Sequence, residues 1–186
     1  MKKILIFIII CFCLLLSENK GFIPKIGKLK DISTNKKVEI SELYNNKNII
    51  FNFWNLACIP CRKEMEHLNV FNKKYNEYNF EVISINMDTP RSLSKVKSFV
   101  KSQNYSFTVL NDPRSELFRK LGATIMPFTV LVDKNGNIKS RHTGYNPGDE
   151  LKLEKELIEI LEIDSLIQSF PLDSTIQSFP LDSTNR

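Results

Sequence analysis

The sequence predicts an α/β fold whose sheet has a parallel core and an antiparallel edge hairpin. Three observations carry that expectation. Short apolar, aromatic-rich runs stand at residues 48–54 ("NIIFNFW") and 80–86 ("FEVISIN"). Between and after them lie stretches with apolar residues at three- to four-residue spacing. Late in the chain, Asn135-Gly136 marks a tight turn between two further strands. Buried runs alternating with amphipathic helices imply parallel pairing, because parallel strands need a crossover long enough to hold a helix.

The elements follow in order. Residues 21–48 read as an entry segment, in which "KLKDISTNKKVEISEL" places turn-forming Ser33-Thr34-Asn35 between short apolar flanks and predicts a small hairpin. The run at 48–54 is a buried strand. Beyond it Met65, Leu68, Phe71 or Asn72, and Tyr75 recur with helical spacing. The run at 80–86 is a second buried strand, and Thr89-Pro90 starts the next helix, with threonine as cap and proline in the first turn. Val96, Phe99 and Val100 give that helix its apolar face. "FTVL" at 107–110 is a short third strand, and Asp112-Pro113 repeats the cap-then-proline start for a helix over 114–121 closed by Gly122. "FTVLVD" at 128–133 is a strand, and Asn135-Gly136 turns it into "NIKSRHTG". Leu153, Leu157 and Leu161 stripe a last helix over 149–163.

The ends of the chain differ from its middle. Met1-Lys2-Lys3 precedes thirteen apolar residues, 4–16, and then "SENK". A positive start and a short apolar run read as an export signal over residues 1–20. The run falls short of the roughly 20 residues of a spanning helix, so an uncleaved N-terminal membrane anchor is the alternative. Cys11 and Cys13 follow Ile10 and Phe12 rather than small residues, which disfavours lipidation and leaves them as small hydrophobes. The domain itself then spans 21–163. After it, "IQSFPLDST" occurs in tandem at 167–175 and 176–184, two proline-containing copies that build no repeat architecture, so 164–186 reads as a disordered tail.

The formal net charge is +5 among 186 residues, with bases and acids interspersed and no basic stripe interleaved with aromatics. That pattern is a solvated surface and excludes a nucleic-acid partner.

The domain keeps two cysteines, Cys58 and Cys61, in "FNFWNLACIPCRKEM". A lone C-x-x-C fits a redox couple, half a zinc site or a staple. Zinc needs four ligands, and the chain adds only His67 and His142, far apart in sequence, with His67 expected on the helix surface. A bridge over two residues closes too small a loop to constrain the unfolded chain much. The redox reading gains from position. A strand running into a helix start delivers Cys58 to unpaired backbone N–H groups, which favour the thiolate. Cys58 is then the attacking thiol, and Cys61, one turn later and less accessible, resolves the mixed disulfide. Pro60 suits the first helical turn.

"FWNLACIPCRKEM" together with "TIMPFTVLVDKNGNI" resembles the TlpA/ResA branch of thioredoxin-like thiol–disulfide oxidoreductases, from about residue 28 to 162. The resemblance implies a thioredoxin-like three-layer sandwich: a central mixed sheet with an antiparallel edge hairpin and helices on both faces. It implies that Pro127 is cis and faces the disulfide, and that Met126 offers its backbone to an extended substrate peptide, with Pro60 on the same surface. It also assigns Glu64 a catalytic role, as a partly buried carboxylate that exchanges a proton with Cys61. Asn52 stands where thioredoxin has a buried aspartate. Ala57 departs from the family's usual tryptophan before the first cysteine, which flattens the surface beside Cys58, while Trp54 is expected to pack beneath the site.

The functional expectation is an exported, periplasmic or cell-envelope thiol–disulfide oxidoreductase without cofactor or metal. As a disulfide reductase it would act on protein thiols and disulfides, as in cytochrome c maturation, and draw electrons from a membrane-embedded partner. The chain is expected to be a monomer. A disulfide oxidase or isomerase would use the same couple at another potential. A peroxiredoxin-type peroxidase is disfavoured: it wants a hydroxyl three residues before its cysteine and a proline four before that, where this chain has Asn55 and Phe51.

Overall fold

The computed structural model describes residues 21–163; the expected leader and the repeated tail lie outside the described residues. Seven strands form one sheet: β1 (Leu29–Asp31), β2 (Lys37–Val38), β3 (Asn48–Trp54), β4 (Phe80–Asn86), β5 (Thr108–Asn111), β6 (Phe128–Val132) and β7 (Ile138–Thr143). Their spatial order is β2-β1-β5-β4-β3-β6-β7. The centre is parallel as expected, β3 to β4 and β4 to β5. Both flanks are antiparallel: β6 and β7 extend the β3 side, and the β1–β2 hairpin extends the β5 side.

Five helices cover the sheet: α1 (Ile40–Leu43), α2 (Ile59–Tyr75), α3 (Leu93–Gln103), α4 (Glu116–Lys120) and α5 (Asp149–Leu161). The pleat of β3 separates two cores. Ile50 and Trp54 join Met65, Leu68, Val96 and Leu157 beneath α2, α3 and α5. Ile49, Phe51 and Phe53 face the other way, against Ile40, Leu117 and Phe118 of α1 and α4. A strand buried on both faces reads as a continuous apolar run, which is why "NIIFNFW" shows no alternation. Trp54 is fully buried in the first core with its ring 5.5 Å from Phe99, the packing role expected of it.

Several local expectations are corrected. The α1 turn was not foreseen. Pro90 opens a short 3₁₀ turn, Pro90–Ser92, before α3, and Thr89 supplies its backbone carbonyl to Ser92 N (2.9 Å) rather than a side-chain cap. The helix expected over 114–121 is α4, 116–120, because Ser115 takes a left-handed conformation (φ 51°). Asp112 still caps it, accepting from Leu117 N at 3.0 Å. The last helix stops at Leu161, with Glu162 left-handed (φ 55°).

The late turn is longer than two residues. Asp133 N donates to Asn137 O and Gly136 N to Asp133 O, both at 2.9 Å, so Lys134, Asn135 and Gly136 form a three-residue loop. The two-residue type I′ turn that Asn-Gly favours needs two positive φ values, and here Gly136 alone of the loop has one (φ 85°).

Candidate functional site

The disulfide sits where the parallel centre of the sheet ends. β3 finishes at Trp54, the chain loops through Asn55, Leu56 and Ala57, and α2 begins at Ile59. Two carboxyl-terminal neighbours fix that loop. Leu56 N donates to Asp88 Oδ2 at 2.8 Å, and Asp88 is itself held by Asn86 Nδ2 at 2.8 Å. Cys58 N donates to Asn55 Oδ1 at 3.0 Å. The backbone thus arrives at the helix start in a defined direction.

Cys58 is the N-cap of α2 and is bonded to Cys61, with Cα atoms 5.3 Å apart. Cys61 N points at Cys58 Sγ, 3.2 Å away. An N-cap sulfur receiving a free helix N–H is placed for its thiolate form to be stabilised when the bond is reduced. The two cysteines differ in access: Cys58 is half-buried, and Cys61 is fully buried in the core of α2. Pro60 occupies the first turn of the helix and is exposed.

The register of β3 against β6 brings the second motif alongside. Phe53 pairs with Phe128, so Pro127 lies one step further, opposite Trp54 and the start of the cysteine loop. The Met126–Pro127 peptide is cis. Asn55 ties the two segments together: its Oδ1 holds Cys58 N, and its Nδ2 approaches Met126 Sδ at 3.8 Å. Pro127 O is held in turn by Gly144 N at 2.8 Å. Ile59, between the cysteines, and Ile125, next to Met126, are large apolar side chains left 60% and 59% exposed.

Beneath the cysteines lies a buried polar cluster. Glu64, one turn after Cys61 on α2, is 5% exposed. Its carboxylate accepts from Asn52 Nδ2 (2.7 Å) and from Thr129 Oγ1 (3.0 Å). Asn52, fully buried on β3, also donates to Thr129 Oγ1 at 3.2 Å. Burial raises the Glu64 pKa from its ordinary 4.5 to about 7; the Thr129 hydrogen bond opposes the rise, and the nearby charge of Asp149 adds to it. A carboxyl group poised there exchanges a proton near neutral pH, which a solvent-exposed glutamate does not.

Of the residues singled out from sequence, Cys58, Cys61, Pro60, Met126 and Pro127 gather at one end of the sheet, with Glu64 below them. His67, expected at the surface, is half-buried, its ring 6.1 Å from that of Tyr145. Asn55, Asp88 and Thr129 were missed. Asn55 alone left a signal, a polar residue inside the cysteine loop; the other two matter only through strand register.

The chain matches the family model described as Redoxin over residues 19–157. It is 29% identical over 161 residues to the thiol-disulfide oxidoreductase ResA of Bacillus thuringiensis, covering 81% of this chain and 91% of that protein. A ResA of Bacillus cereus is 32% identical over 117 residues, 63% of this chain and 66% of that one. Among solved structures, a candidate thiol:disulfide interchange protein DsbE from Chlorobium tepidum superposes with a TM-score of 0.70 at 27% identity, covering 76% of this chain and 96% of that chain. A thioredoxin-like protein of Porphyromonas gingivalis does so with a TM-score of 0.65, also at 27% identity, over 75% and 92% of the two chains.

Proposed function

The chain belongs to the Redoxin family, with a thioredoxin-like fold, and from that premise we propose that it is a thiol–disulfide oxidoreductase working as a disulfide reductase on protein substrates. The observation that carries the reading is the asymmetry of the pair. An accessible Cys58 caps α2, and a buried Cys61 stands behind it, one turn from a buried carboxyl group.

The reaction starts from the reduced pair. The Cys58 thiolate attacks a substrate disulfide, forming a mixed disulfide and releasing one substrate thiolate, which takes a proton from solvent. Cys61 then gives its proton to the Glu64 carboxylate and attacks Cys58 Sγ. The second substrate thiolate leaves, and the Cys58–Cys61 bond seen here is formed. Two electrons have passed from the dithiol to the substrate. Met126 and the cis Pro127 are the surface against which an extended substrate segment lies, with Pro60 and Ile59 on the other side of the disulfide. A membrane-embedded thiol donor returns the pair to the reduced form.

The apolar run at residues 4–16 after two lysines supports export to the cell envelope, where disulfides persist and a dedicated reductase has substrates, cytochrome c maturation among them. Among the described residues no helix is long and apolar enough to cross a membrane, so tethering rests on that N-terminal run. Within the envelope the domain acts as a monomer.

Direction of electron flow is decided by the reduction potential of Cys58–Cys61 in the full chain, equilibrated against glutathione or dithiothreitol. A value near that of thioredoxin, about −270 mV, is the expected result. A value near about −120 mV would make the protein a disulfide donor instead.

A further inference from the structure

Glu64 has a second face. Away from the disulfide it lines a cavity of about 270 Å³ between α2, the end of β7 and the start of α5. A water molecule needs only roughly 10–15 Å³ of such volume and a few polar partners, so this space is roomy enough to hold several. Its walls are mixed: Leu68, Phe71 and Leu153 supply the apolar part, and the rest is polar. His67 on α2 and Tyr145 in the loop after β7 stand near one another, and Asp149 opens α5 opposite Glu64.

Most of the other charged groups around the cavity are already engaged. Glu150 accepts from Tyr145 Oη and from Gly148 N, each at 2.8 Å. His142 pairs with Glu156 at 2.7 Å, and Lys152 with the same carboxylate at 4.0 Å. Arg141 also borders the cavity, at its solvent-exposed edge. Asp149 binds Asn146 N through Oδ2 at 2.8 Å, and its negative charge is felt at Glu64. On the inner side Glu64 meets only the neutral donors Asn52 and Thr129.

We propose that this cavity is the route by which Glu64 exchanges its proton with solvent, and that Asp149 on its far wall is a positioning residue for that exchange. The inference rests on Glu64 being the proton acceptor of Cys61. It gives the mechanism two separated sides. Substrate closes over the disulfide at the end of the sheet, while the proton taken from Cys61 leaves sideways between α2 and α5. Burial is the main reason Glu64 holds its proton near neutral pH, and Asp149 adds to it from the cavity side, because a neighbouring anion disfavours a second one.

The test follows the protonated carboxyl stretch of Glu64 by infrared difference spectroscopy against Glu64→Gln, alongside the pH profile of substrate reduction. Asp149→Asn keeps the acceptor for Asn146 N and removes the charge; the Glu64 titration and the rise of the rate profile are expected to move together to lower pH. Asp149→Glu should restore both, which a purely structural role for Asp149 would not predict. Thr143→Phe fills the rim of the cavity and should slow the relaxation of the Glu64 band severalfold after a pH jump. If Asp149→Asn and Thr143→Phe leave titration and relaxation unchanged while Glu64→Gln still abolishes the rise of the profile, the inference is overturned and Glu64 keeps its role. If Glu64→Gln leaves the rise in place, the role of Glu64 falls, and the inference with it.

Discussion

Glu64 binds its proton more tightly in the folded protein than in the unfolded chain, where its pKa returns to 4.5 from about 7. Between those values the native state holds more protons than the unfolded one. Stability from this group is therefore fully present below about 4.5 and is lost as pH rises through about 7. The gap corresponds to about 3 kcal/mol as an order of magnitude. Glu64→Gln should flatten this slope, giving a melting temperature less dependent on pH between 5 and 7.5, measured calorimetrically on the oxidised protein; an unchanged slope would mean that Glu64 is ionised throughout. At this scale the sequence was legible where chemistry is local. The cysteines, the expected difference in their access and the carboxyl one turn on stand within seven residues of one another. Thr129 was not legible, because its hydrogen bond to Glu64 depends on which residue of β6 pairs with Asn52.

At the level of elements, strands, long helices and the start of α2 at Cys58 were readable, whereas the starts of α3 and α4 and the length of the late turn were not. Asp112 does cap α4, but the residues between Asp112 and Leu117 spend themselves in a turn with a left-handed Ser115, which no spacing rule encodes. The β6–β7 loop shows the same limit: its glycine was found and its length was not. Gly136 is required there for two reasons. Its φ of 85° disfavours any side chain, and a Cβ on it would stand 2.7 Å from the Tyr44 ring. Gly136→Ala should therefore destabilise the domain by about 1–3 kcal/mol. Urea denaturation reads this directly; a midpoint equal to that of the parent protein would show that the loop relaxes freely. The reduction potential should be unaffected, since the loop lies beyond the far end of β3.

Across the whole molecule, the sandwich of two cores about one sheet and the late hairpin as its antiparallel edge were anticipated, and the strand order around the centre was not. Strand order depends on contacts between distant residues: the entry hairpin lands beside β5, and β6 runs antiparallel on the other side of β3. Both described ends of the chain meet at one pole. Ile23 N donates to Gly136 O and Ile138 N to Gly21 O, fixing the entry beside the β6–β7 loop. Leu161 at the exit shares a wall with Asn48 and Asp133, at the amino end of β3. The working pair lies at the opposite pole, past the carboxyl end of β3. Removing residues 1–20 and 164–186 should therefore leave the potential of Cys58–Cys61 within error of the full chain; a displaced potential would show that one of these extensions reaches the disulfide.

That polarity bears on the proposed tether. If the chain is held to a membrane through residues preceding Gly21, the near pole of the domain is the one at the β6–β7 loop, and the disulfide faces away from the lipid, a sheet's length off. Client proteins would then meet the pair from the open side. A thiol donor in the same membrane would have to present its cysteines at that height, past the near pole of the domain.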